Sequence, residues 1–113
     1  MQTNDIDVNI EWVKVQLFLR KRFEEVLDMQ SILYLIGLQE LGMNHQPLKK
    51  EQKVDVIHIG VCSVLLPLGY YQKIGLDNDG WPHFKNIKKL PHDMVGEQQD
   101  VFMKKAIIKY LNL

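Results

Sequence analysis

The sequence predicts an all-α fold: a single domain over residues 1–113, built as a bundle of four to five helices, with a kink or break near Pro67 and an irregular aromatic loop at residues 77–92. Three observations lead there. Apolar residues recur at steps of three and four over long stretches, the spacing that lines one face of a helix. Helix stops punctuate these stretches, Gly42 with Pro47 beyond it and Pro91 further on. The run from Val54 to Leu68 is apolar almost all round, as in a helix enclosed by its neighbours. With 113 residues, 46% of them apolar and 25% charged, the chain has the length and composition of one globular domain. Folding at this size hides roughly two-thirds of the unfolded chain's surface, so a core needs neither disulfides nor a structural metal.

The first element carries two superposed patterns. Ile6, Val8, Ile10 and Trp12 alternate with polar residues as a half-buried strand does, and so do Val13, Val15, Leu17 and Leu19. The phase slips between Trp12 and Val13, and no turn residue interrupts the chain as far as Leu27. Helical spacing absorbs both sets. Trp12, Val15, Leu19, Phe23, Val26 and Leu27 form one stripe, and Ile10, Val13 and Leu17 form a second. Thr3, Asn4 and Asp5 are N-cap types, so a long first helix is predicted. The fallback is an α+β fold with an N-terminal strand from Ile6 to about Trp12.

Asp28 or Ser31 caps a second helix holding Ile32, Leu33, Leu35, Ile36, Leu38 and Leu41. Gly37 inside it sacrifices about 1 kcal/mol of helix propensity against alanine and points to a close helix crossing. A third helix is expected from near Lys49 to about Leu66. Pro67 lacks an amide donor and clashes with the preceding turn, which places a kink or break there. Tyr70 to Ile74 is expected to resume the helix. Asp77-Asn78-Asp79-Gly80 has the composition of a turn, and Trp81-Pro82-His83-Phe84 should be extended or irregular, since the residue before proline avoids the helical region. Ile87 to Leu90 is expected to form one helical turn ended by Pro91. Asp93 caps a last helix, Met94 to Leu111, with Val95, Phe102, Ala106, Ile108 and Leu111 inward. Its lysines Lys104, Lys105 and Lys109 come late, where they complement the helix dipole.

Charge and cysteine count exclude several function classes. Lys plus Arg equals Asp plus Glu at 14 each, and this zero balance disfavours nucleic acid and anionic membranes as partners. The basic runs Arg20-Lys21-Arg22 and Lys85, Lys88, Lys89 read as solvated faces. The single cysteine, Cys62, rules out an internal disulfide and a multi-cysteine zinc site. Residues 56–71, the most apolar stretch, fall short of the ~20 needed to span a bilayer, so no membrane span is expected. The polar start Met1-Gln2-Thr3-Asn4-Asp5 lacks the basic and apolar regions of a secretory signal, so a cytoplasmic location is expected.

Two sets of residues invite a chemical reading. Asp55, His58 and Cys62 stand at steps of three and four, within about 60° of one another on a helix. A carboxylate, an imidazole and a thiol on one stripe can ligate a metal or activate a thiolate. The plainer reading makes them packing residues of the central helix, with no metal bound. A di-iron centre needs a second Asp/Glu-x-x-His step, and the chain has only Asp55 and His58. The second set is Tyr70, Tyr71, Asp77, Asp79, Trp81, His83 and Phe84. An aromatic, partly polar cluster of this kind reads as a ligand pocket or interface. The alternative is that Trp81 and Phe84 plug the end of the bundle. A calcium loop fails on register. With Gly80 at the sixth position, the first and twelfth fall on Gly75 and Asn86, and neither supplies a carboxylate.

The surplus of large apolar residues on more than one helix face predicts a non-catalytic interaction or scaffold module acting as a homodimer, with a further protein partner open and no cofactor. The alternative is a small-ligand or metal-binding protein using the loop around Trp81 and His83, or the Asp55, His58 and Cys62 stripe.

Overall fold

A computed structural model describes residues 5–23, 27–42, 48–90 and 96–112. The elements run α1 (Asp5–Phe23), α2 (Met29–Leu41), α3 (Gln52–Leu65), β1 (Tyr71–Leu76), β2 (Pro82–Asn86) and α4 (Glu97–Leu111). The all-α expectation is overturned, because β1 and β2 pair as an antiparallel hairpin. Tyr70 to Ile74 does not resume the helix. The break at Pro67 holds instead, with α3 closing on the Leu66 amide donating to Cys62 O at 2.9 Å and residues 66–69 forming a turn. Gly69 and Gly75 then bracket a segment too short to restart a helix. Nor do Ile87 to Leu90 make a helical turn. The fallback strand at Ile6 to Trp12 is also absent, since those residues belong to α1. Met94, Val95 and the Asp93 cap lie outside the described residues, as do Val26 and the chain start through Asn4.

The chain divides into two compact units, one continuous (Met29–Leu90) and one drawn from both ends (Met1–Asp28 with Pro91–Leu113). In the continuous unit, α2 and α3 cross closely through two glycines. A Cβ on Gly37 would overlap the Val56 carbonyl oxygen, and one on Gly60 would overlap the Leu33 carbonyl oxygen. The pairing 37 with 56 and 33 with 60 makes the crossing antiparallel, and it lets Ile32, Leu33 and Ile36 pack with Val56, Ile59, Cys62 and Leu65 in the core. Lys53 Nζ lies 5.4 Å over the Tyr34 ring across the same pair. The third helix is less enclosed than its composition predicts. Val54 is 70% exposed and Leu66 is exposed, because α3 keeps one side toward solvent.

Ser63 is the buried polar exception on α3, and its Oγ has no hydrogen-bond partner. A lone hydroxyl in an apolar site is destabilising relative to a methyl. Ser63→Ala is expected to leave the protein unchanged or up to about 1 kcal/mol more stable, read as a Tm held or raised by a few degrees. A Tm clearly lowered by the change would mean that Oγ contributes a bond after all.

In the unit made from both ends, α1 packs with α4. Val8, Val15 and Leu19 are the buried face of α1, and Ala106 and Ile107 are buried on α4. Ile107 is fully buried although the apolar pattern favoured Ile108 as its inward neighbour. Lys104 joins the two helices, its Nζ 5.5 Å from the Trp12 ring and 3.0 Å from Asp100 Oδ2. Past α1, Gln16 clamps the chain, donating to Leu27 O at 2.7 Å and accepting from Leu27 N at 3.3 Å. The second stripe of α1 stays outside, with Ile10 at 52% and Val13 and Leu17 at 55% exposed. At 100° per residue it lies nearly opposite the buried face. None of the described helices is long and apolar enough to cross a membrane.

Candidate functional site

The β-hairpin is keyed by one side chain. Asp77 Oδ1 accepts from the Asp79 and Trp81 amides, both at 2.9 Å, and Oδ2 lies 3.0 Å from His83 Nε2. The Asp77 amide donates to Trp81 O at 2.9 Å, and Gly80 N returns to Asp77 O at 3.0 Å. Residues 78–80 thus form a three-residue hairpin loop, and Gly80 takes the left-handed position it requires, φ 85°. Asp77 is suited to this place because its short carboxylate reaches the amides two and four residues on. The His83 contact, with the two amides, holds the Asp77 carboxyl below the usual carboxylate range. One residue more stands on β1 than on β2 between the pairs Lys73 with Phe84 and Gly75 with His83. Such a bulge re-aims the side chains that follow it.

Opposite the hairpin, α3 supplies Gln52, Asp55, His58 and Ile59. Together with Asp77, Asp79, Trp81, Pro82, His83 and Phe84 they line a cleft of about 420 Å³. That is the size of a small-molecule site. Pro82 and Ile59 are buried at its floor and Trp81 and Phe84 are half-buried, while Asp55, His58, Asp77, Asp79 and His83 are exposed. His58 is fixed on two sides, with Nε2 3.5 Å from Cys62 Sγ and its ring edge-on to Tyr71 at 6.5 Å between centroids. Gln52 is held by accepting from the Lys49 amide at 2.9 Å.

The two sets of residues singled out in the sequence therefore meet in one place. Asp55 and His58 belong to the same cleft as Asp77, Asp79, Trp81, His83 and Phe84. Three residues stay out of it. Tyr70 stacks under Lys88, whose Nζ is 4.6 Å from the ring centroid, and its carbonyl accepts from Ile87 N and Asn86 Nδ2, both at 3.0 Å. Tyr71 stands behind His58, and burial raises its phenol above the ordinary value of 10. Cys62 is fully buried and burial pushes its thiol up to about 11, so at neutral pH it is a protonated packing residue and no nucleophile. Among the described residues no three His, Cys, Asp or Glu side chains are placed to hold one metal ion. The packing reading suits Cys62 and fails for His58, which faces the cleft.

No family model, curated protein or solved structure matches the chain. The chemistry of the cleft has to say what it takes. Three carboxylates stand on its walls, and no Lys or Arg is among its described lining residues. Trp81 and Phe84 add aromatic surface and Gln52 an amide. Negative charge beside aromatic rings suits an organic cation, held by ion pairs and over the ring faces. The Asp77–His83 pair also orients an imidazole at the rim, with its partner oxygen 3.0 Å away. Gln52, Ile59 and Pro82 also line the cleft, although their side-chain chemistry does not mark them out. Gln52 and Ile59 lie three residues before Asp55 and one after His58, on the same helix face or its edge, so helical spacing alone reaches Gln52.

Proposed function

We propose that the protein is a non-catalytic binding module whose cleft between α3 and the β1–β2 hairpin takes a small organic cation. The observation that carries this reading is the convergence of Asp55, Asp77 and Asp79 with Trp81 and Phe84 on one cleft of about 420 Å³. A primary ammonium, guanidinium or quaternary ammonium group would be paired by the carboxylates while its carbon skeleton lies against the rings. Binding without turnover fits the buried, protonated Cys62, which supplies no thiolate nucleophile beside His58. On the same reading the protein works in the cytoplasm, where a single buried thiol stays reduced.

Tryptophan fluorescence tests this directly. In a Trp12→Phe background Trp81 is the only indole, so its emission reports on the cleft. Titration with arginine amide, spermidine and choline is expected to give a saturable change with half-saturation at or below about 1 mM, a binding free energy of roughly −4 kcal/mol. Asp55→Asn should weaken it several-fold, and acetate or glutamate should give no saturation. Equal responses to cations and anions, or none with any cation up to about 10 mM, would sink the reading.

A further inference from the structure

We propose that a second copy of this chain packs on the outer face of α1, the two helices running antiparallel about a twofold axis. Ile10, Val13 and Leu17 are each more than half exposed on the side of α1 opposite its buried face, so the helix carries a second apolar face that this chain leaves uncovered. A row of large aliphatics at steps of three and four is the shape one helix offers another.

The charges along α1 identify the occupant. Asp5, Asp7 and Glu11 fall in its first half, and Arg20, Lys21 and Arg22 fill its last turn. A helix acidic at its start and basic at its end complements a copy of itself laid antiparallel, whereas a parallel copy sets like charges together. Opposed macrodipoles favour the same direction. The register follows from the stripe. Its centre, midway between Ile10 and Leu17, falls between Val13 and Lys14. Positions 7 and 21 share one flank of the stripe, being close to four turns apart, and lie about 10 and 11 Å from that centre on opposite sides. A twofold axis through the centre therefore sets Asp7 of each copy alongside Lys21 of the other. Lys14 meets its own mate near the axis, and there its ammonium is already paired with Glu11 Oε1 at 3.1 Å, which offsets the repulsion. The contact is isologous and closes at two copies.

Sedimentation velocity on the full chain, from about 5 to 200 µM, tests it. The wild type is expected to sediment as a dimer in the upper part of that range. Leu17→Asp should weaken association at least roughly tenfold with an unchanged circular dichroism spectrum. Asp7→Lys and Lys21→Asp should each weaken it, and the two together should restore most of the loss, since the pair is rebuilt with its signs exchanged. If Leu17→Asp fails to fold, the charge exchange decides alone. A wild type monomeric at about 200 µM, or a double variant no better than either single, overturns the proposal.

Discussion

A Gly60→Ala chain is expected to melt roughly 12 °C below the wild type, and Gly37→Ala nearly as far. Alanine is the better helix former by about 1 kcal/mol, so on propensity alone both changes would stabilise. Packing reverses the sign. The new methyl at 60 would overlap the Leu33 carbonyl, and the one at 37 the Val56 carbonyl, with the Val56 carbonyl carbon only 2.9 Å away. Backbone cannot step aside as a flexible side chain can, so α2 and α3 must separate along the whole crossing and loosen Ile32, Ile36, Ile59 and Leu65 together. Overpacking against a rigid neighbour costs about 3 kcal/mol, which outweighs the propensity gain. The double variant should lose less than the sum, because the first methyl already opens the space the second needs. Thermal denaturation with Val54→Ala as an exposed control checks this. A Gly60→Ala Tm within a degree or two of the wild type would mean that the crossing is not glycine-dependent.

Removing the Asp77 carboxylate should undo the hairpin loop, and with it one wall of the cleft. One side chain holds the Asp79 and Trp81 amides and the His83 ring. In Asp77→Ala the amide hydrogens of Asp79 and Trp81 are expected to exchange roughly tenfold faster or more, and the Trp81 response to cations should disappear. Asp77→Asn, which keeps one acceptor oxygen, should fall between. Acid gives a second route to the same state. His83 and the amides hold the Asp77 carboxyl below its ordinary 3.8. A depressed carboxylate pKa lends stability above the ordinary value that is lost as pH falls through the lowered one. Trp81 emission should therefore shift toward that of Asp77→Ala only below the usual carboxylate range. Unchanged exchange in Asp77→Ala would show that Gly80 and the strand pairing hold the loop without it.

The helices were legible in the sequence because each buries a face spaced at three and four. The slip between Trp12 and Val13 correctly favoured a helix over a strand, and Pro67 correctly ended α3. The hairpin was not read, for a physical reason. Five of the six β1 residues are exposed, so the strand shows no apolar alternation, the signal by which strands are usually found. What signal existed lay in the turn, where Asp79-Gly80 between two short segments is a hairpin signature. Each half of the cleft was visible separately, as Asp55 with His58 and as the cluster from Asp77 to Phe84. Their union was not, because it depends on the chain reversing at residues 66–69 and again at 78–80, and neither reversal changes which residues look reactive. Gly37, inside an otherwise strong helix, signals the close crossing, whereas Gly60 is one small residue in an apolar run and carries no such mark.

The unit drawn from both ends constrains the order of events during synthesis. Residues 24–96 separate α1 from α4, so α1 leaves the ribosome first and waits for its mate. At ordinary elongation rates that delay is roughly 4–15 s, long beside the time in which a helix pair such as α2 and α3 closes. Throughout it both greasy stripes of α1 are bare, an opening for chaperones that grip nascent aliphatic segments. A message cut short before the codon for Glu97 would leave that helix permanently unmated.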